Sequence, residues 1–191
     1  MMHSTLTNKY HTVFVDWHGV LSDRGYWAST SKESFELAKF TNYLFKSNEK
    51  YDNLMRNKIT LKQVLKDSGS ECTVMQIQQY FLDDIKLYKP NIELLTLIKN
   101  LFSTAKIYIL TDNIILFEEI ITFYKQDLSN YIDGHFSSHV FGALKKDTIS
   151  LFEYVKNNLG LQNFENCLLL DDNFENCAKF KTEMGNIIWL N

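Results

Sequence analysis

Four short apolar runs limit what this chain can fold into: HTVFVD at 11–16, AKIYILTD at 105–112, CLLLDD at 167–172 and NIIWLN at 186–191. Each is rich in β-branched residues or leucine and too short for a helix, the pattern of a strand covered on both faces. The first three finish in acidic or hydroxyl side chains. Ligands of open parallel sheets bind outside the carboxyl ends of the strands, so these endings mark a candidate site. Helical patterns alternate with the later runs. NIELLTLIKNLF (91–102) repeats Ile92, Leu95, Ile98 and Leu101 at helical spacing, and ILFEEIITFYKQDL (115–128) follows the second run. DTISLFEYVKNNLG (147–160) offers Asp147 as a start, Ile149, Phe152, Val155 and Leu159 as an apolar face, and Gly160 as a stop. FENCAKFKTEMG (174–185) closes the last unit. The alternation predicts an α/β sandwich with a mostly parallel sheet.

Residues 24–89 differ, because no run there reads as a strand. Thr30–Glu33 and Thr73–Gln76 each have the form of a capping box, and Thr60 stands before LKQVLKD, which Gly69 ends. Val74, Ile77, Phe81, Ile85 and Tyr88 make one apolar stripe. The expectation is an all-helical insert at 24–89, seated above the end of the first strand of a core built from 1–23 and 90–191.

Composition narrows the partners. With 45% hydrophobic and 23% charged residues the chain reads as an ordinary globular protein. A net charge of -3 and the lack of a Lys/Arg cluster argue against a nucleic-acid surface. Cys72, Cys167 and Cys177 form no CxxC pair, which fits buried thiols in a reducing, cytoplasmic setting better than a disulfide framework or a zinc site. MMHSTLTNKY lacks a positive start followed by an apolar stretch, and no apolar run approaches about 18 residues, so neither a signal peptide nor a membrane span is expected.

The doublet Asp171–Asp172 carries the chemistry. Two adjacent carboxylates after CLLL repel one another, and burial raises that cost unless a cation or hydrogen-bond donors compensate. A hard divalent metal with oxygen ligands would compensate both. Asp16 after a strand, Thr111, or the lysine pair 145–146 would each be ordinary alone. Together, in order, they resemble the haloacid dehalogenase superfamily, which is mostly aspartate-nucleophile phosphatases. Its Asp-x-Asp-Gly-Thr/Val opening is matched by Asp16-Trp17-His18-Gly19-Val20, and its strand-ending Ser or Thr by Thr111 in YILTDN. Its lysine motif is matched by Gly142 to Asp147, with Lys145 as the lysine and Lys146 replacing a proline. Its acidic pair with a following Asn is matched by Asp171, Asp172 and Asn176. Receiver domains combine the same residue types but place the acidic pair first in the chain.

The resemblance covers nearly the whole chain and implies a Rossmann-like three-layer core with an inserted helical cap. It implies Asp16 as a nucleophile forming an aspartyl-phosphate, with Mg2+ held by Asp16, the backbone carbonyl of His18, Asp172 and, directly or through water, Asp171. Thr111 and the amide of Asp112 would bind a phosphoryl oxygen, and Lys145 would neutralise the phosphoryl group and Asp16. The substrate would be a small phosphorylated metabolite. His18 departs from the family, whose phosphatases usually carry an acid/base Asp there. An imidazole can act as acid and base, as base alone, or as a bystander contributing only its carbonyl. The last case would leave a slow or non-catalytic binder of a phosphate ligand or protein partner. A dehalogenase proper needs no metal, and phosphonate-cleaving relatives need a cap lysine, for which Lys32, Lys39 and Lys62 stand available. His135 and His139 share a face only in a helix, and HFSSHV reads as extended, so a strand or loop role is expected. Trp17 and Trp27 either line the cleft or pack the core.

Overall fold

β1 (Thr12–Val15), β2 (Lys106–Thr111), β3 (Gly134–Ser137), β4 (Cys167–Asp171) and β5 (Asn186–Trp189) form one sheet in the order β3-β2-β1-β4-β5, every pairing parallel. The computed structural model describes residues 9–32, 34–87 and 89–190. The four apolar runs all form strands. Their alternate residues part to the two faces: Val13, Val15, Ile107, Ile109, Leu168 and Leu170 join one core, and Phe14, Leu110 and Leu169 the other. β3 takes up the first half of HFSSHV, read from sequence only as extended, and the second half, with His139, turns helical in α8 (Ser138–Phe141) instead. As an edge strand it has a neighbour on one side only, so GHFS needs no continuous apolar run.

Among the described residues ten α-helices surround the sheet. Between β1 and β2 come α1 (Phe35–Leu44), α2 (Asn48–Met55), α3 (Leu61–Ser68), α4 (Val74–Ile85) and α5 (Ile92–Leu101). Then follow α6 (Phe117–Phe123), α7 (Lys125–Leu128), α8 (Ser138–Phe141), α9 (Leu151–Asn158) and α10 (Phe174–Thr182). Leu95 and Ile98 of α5 and Phe117 and Ile120 of α6 cover the first face, in a core continuous with α1 to α4. Phe152 and Val155 of α9 and Phe180 of α10 cover the second. The result is a three-layer sandwich.

Several helix boundaries follow the sequence signals. Thr73 and Gln76 make both bonds of a capping box, Thr60 accepts from the Gln63 N–H, and Gly69 ends α3 in the left-handed region at φ 66°. Others move. Thr30–Lys32 is a 3-10 turn, and Ser34 is the residue whose side chain caps α1. Glu33, Tyr88 and Asn191 lie outside the described residues. Asp147 does not open α9, which starts after Ser150, and Ile149 stays 75% exposed. Its carboxylate is engaged elsewhere, accepting the Leu144 N–H at 2.9 Å and a two-pronged bond from Arg56 at 2.8 and 2.6 Å. Trp17 and Trp27 are both fully buried in the hydrophobic core. Trp27 packs edge-on against Phe40 and Phe81 and donates its indole N–H to Ile77 O.

Arg56 also couples the helices to the sheet. It follows α2 and grips Asp147 in the loop before α9, while Asp52 of α2 pairs with Lys146 of that loop at 3.0 Å. The Ser138 hydroxyl donates to Met55 O at 3.0 Å beside them. The Arg56 guanidinium holds the Asp147 carboxyl below its ordinary 3.8. A depressed carboxyl stabilises the fold above its unfolded pKa and loses that contribution as pH falls through its folded one. Asp147→Asn is therefore expected to cost about 1–2 kcal/mol at pH 7. In urea denaturation the gap to wild type should close below about pH 4. A gap of equal size at pH 3 would contradict the clasp.

Candidate active site

The chain runs from β1 outward to β2 and β3, then crosses to the other side of β1 for β4 and β5. That reversal opens a crevice at the carboxyl ends of β1 and β4, where ligands of such sheets bind. Asp16 follows β1, Asp171 ends β4 with Asp172 next to it, and Thr111 ends β2. A cleft of about 970 Å3 stands above them, lined by Asp16, His18, Asp112 and Asp172 from the sheet side and by Tyr51 and Met55 from α2. Thr111, Lys145 and Asp171 sit beneath it with no exposed surface.

Lys145 organises the floor. Its ammonium lies 2.9 Å from Asp16 Oδ2 and 2.5 Å from Asp171 Oδ2, and donates to Leu110 O at 3.3 Å. Burial works against its charge, but Asp16, Asp171 and Asp112 outweigh burial and hold it protonated above the ordinary lysine range. Asp112 fixes the loop, its Oδ1 accepting the Lys145 backbone N–H at 2.9 Å. That carboxyl is pushed up to about 6 by burial, with Lys145 opposing. Asp171 is saturated: besides Lys145 it accepts the Asn173 N–H at 2.8 Å and the Asn176 amide at 3.2 Å. Asp172, in contrast, is exposed and faces the cleft.

One ammonium does not balance this group. Asp16, Asp171 and Asp172 bring oxygens within 4.8 Å of one another. Burial drives the Asp16 carboxyl upward against the pull of Lys145, with Asp171 adding to the rise, and burial and Asp171 raise Asp172. Surplus negative charge on converging oxygens fits a hard divalent cation. Gly19 makes the convergence sterically available. It takes φ +76°, and a Cβ there would lie 2.1 Å from Asp172 Oδ2. Of the sequence-predicted carboxylate ligands, Asp16 and Asp172 line the cleft, although Asp16 already meets Lys145 and the Trp17 N–H, and Asp171 lies beneath as an anchor of Lys145.

His18 and Thr111 are placed differently. The His18 ring packs edge-on against Tyr26 with centroids 4.6 Å apart, and its Nε2 is buried without a partner. Burial lowers it to about 4, with Lys145 adding to the drop and a bond to the Arg24 backbone opposing it. Thr111 makes no bond to Asp16 or Lys145; its Oγ accepts from the Asn113 amide at 3.3 Å. Asn113 and Tyr26 were not singled out by sequence. The only sequence signal was that Asn113 follows the strand-ending Thr-Asp. His135 lies on β3 and His139 on the short α8, and both face Glu118, at 3.0 and 3.6 Å, away from the carboxylate group. Among the described residues Asp16, Asp171 and Asp172 are the only acidic, His or Cys set arranged to hold a metal.

Solved structures share this fold. A predicted HAD-like family hydrolase from Porphyromonas gingivalis matches with a TM-score of 0.74 at 16% identity, over 96% of this chain and 92% of that one. The chain has the haloacid dehalogenase-like fold. A HAD-family enzyme from Bacteroides thetaiotaomicron, in complex with magnesium and inorganic phosphate, has the same HAD-like fold: TM-score 0.68, 14% identity, 95% and 94% coverage. L-2-haloacid dehalogenase from Xanthobacter autotrophicus, with chloropropionic acid covalently bound, matches at 0.68 and 13% identity, over 95% of this chain and 77% of its own. No family model and no curated protein sequence matches the chain.

A ligand that binds only the folded state raises stability in proportion to the logarithm of its saturation. Millimolar magnesium should raise the melting temperature of the wild type and leave Asp172→Asn and Gly19→Ala unmoved. Scanning fluorimetry reads the difference; an equal magnesium response in all three would remove the ion from this site.

Proposed function

We propose that the chain is a magnesium-dependent phosphatase of small phosphorylated metabolites, working through an aspartyl-phosphate on Asp16. The observation that supports this best is the Lys145 ammonium, buried between Asp16 and Asp171 on the floor of the cleft. A phosphate dianion repels a bare carboxylate, so positive charge must already stand beside the nucleophile. Lys145 provides part of it. Magnesium, held by Asp16, Asp172 and the His18 carbonyl, would supply the remainder when bound. The carboxylate of Asp16 attacks phosphorus, the phosphorus–oxygen bond to the leaving group breaks, and its electron pair departs with that oxygen. Water then attacks phosphorus, the bond from phosphorus to the Asp16 oxygen breaks with its electron pair returning to the carboxylate, and the protons of the water leave with inorganic phosphate and to solvent. Thr111 and the Asp112 amide bind the equatorial oxygens. Each such preorganised donor is worth about 3 kcal/mol of barrier, a hundredfold or more in rate. In this reading residues 24–89 are a helical cap closing over a core of 1–23 and 90–191. Three free thiols suit a reducing, cytoplasmic setting.

His18 limits the substrate. Its ring packs against Tyr26, and burial lowers it to about 4, so near pH 7 it is neutral and gives a leaving alcohol little proton help. Substrates whose leaving groups need no proton, acyl or aryl phosphates, suit such a site. The same enclosed ring also supports a second reading, a slow or non-catalytic HAD-like protein that binds a phosphate ligand. Hydrolysis of p-nitrophenyl phosphate separates the two. Turnover that requires magnesium and vanishes in Asp16→Asn marks the enzyme; tight phosphate binding without turnover marks the binder. His18→Asp should raise turnover of an alkyl phosphate by about a hundredfold and that of the aryl phosphate far less. A loss of turnover in His18→Asp, with magnesium binding intact, would instead show a working imidazole.

A further inference from the structure

Asn113 is fully buried, and its side chain is an amide whose two ends differ in function but not in shape. Here the orientation is dictated. Oδ1 accepts the Tyr26 hydroxyl at 2.5 Å and the Ile114 N–H at 3.0 Å, so it must be the oxygen. Nδ2 is left facing Thr111 Oγ at 3.3 Å and donates to it. Threonine has one hydroxyl proton. With Oγ already accepting, that proton is available to another acceptor. A flipped amide would present Oδ1 to Thr111 and capture the same proton.

We infer that Asn113 is a positioning residue, locked in orientation by Tyr26, that keeps the Thr111 hydroxyl a donor to the phosphoryl group. The inference rests on the phosphatase reading above. The backbone is pinned as firmly as the side chain: the Asn113 N–H donates to Ser138 Oγ at 2.8 Å, and Ser138 Oγ lies 3.0 Å from Met55 O. Tyr26 therefore packs against one candidate catalytic side chain, His18, and is linked to a second, Thr111, by way of Asn113. Tyr26 and Met55 both come from the chain between β1 and β2, so the seating of that segment reaches the donor geometry of Thr111.

The test is a double-mutant cycle. Tyr26→Phe keeps the ring against His18 and removes only the hydroxyl, and Asn113→Leu keeps the volume and removes the amide. Affinity for inorganic phosphate with magnesium is read by calorimetry, and turnover of p-nitrophenyl phosphate alongside. Each substitution is expected to weaken phosphate binding about five- to tenfold next to Thr111, and by no more than about twofold in a Thr111→Val background. A purely structural role would lower stability and act equally in both backgrounds, and that result overturns the inference. Should Asn113→Leu fail to fold, Tyr26→Phe carries the cycle. Neutron diffraction of the ligand-free wild type reads the same claim if phosphate does not bind. Amide deuterons pointing at Thr111, with the hydroxyl deuteron elsewhere, support the inference even where the phosphatase reading has failed. A Thr111 deuteron pointing at Asn113 refutes it.

Discussion

A lysine ammonium with no solvent exposure depends wholly on its partners, because the effective cost of burying an unpaired ion is several kcal/mol. Lys145 satisfies its three N–H groups on Asp16, Asp171 and Leu110 O. Those acceptors belong to the ends of β1, β4 and β2, three neighbouring strands. One charge thus ties together the strand ends that form the crevice. Removing it would leave two buried carboxylates facing one another, a penalty felt by fold and chemistry alike.

The floor remains over-supplied with negative charge. Asp16 and Asp172 stay raised, and Asp171 has spent its lone pairs on Lys145, Asn173 and Asn176. This division explains how two adjacent carboxylates coexist. One is neutralised internally and holds the lysine, while the other turns to the cleft past a glycine whose missing Cβ leaves room for it. The arrangement is costly until a cation arrives, and that same surplus would draw the cation in.

The sheet was legible in the sequence because strands buried on both faces must be continuously apolar, as Val13 to Val15 and Cys167 to Leu170 are. β3 was readable only as an extended stretch, since an edge position relaxes that requirement and GHFS carries no such run. Helix starts were readable where a capping hydroxyl had no competitor, as at Thr73, and misplaced at Asp147, whose carboxylate a distant Arg56 claims. The ordered motifs named Asp16, Thr111, Lys145, Asp171 and Asp172 as one group; Lys145 meets Asp16 and Asp171, whereas Thr111 bonds Asn113 instead. Asn113 and Tyr26 were invisible for a physical reason: their importance lies in which hydrogen-bond direction they enforce, a property of three-dimensional contact and not of residue type or spacing.

The helices between β1 and β2 complete the site from above, with Arg56 and Asp52 clasping the loop that also presents Lys145. Everything turns on whether the floor binds a cation and a phosphoryl group together at Asp16. A crystal structure grown with magnesium and beryllium fluoride decides it most directly. The expected result is beryllium bonded to an Asp16 carboxylate oxygen, with the metal against Asp16 and Asp172 and Lys145 contacting fluoride. Density for neither species at Asp16, with Lys145 still locked between the two aspartates, would contradict the account.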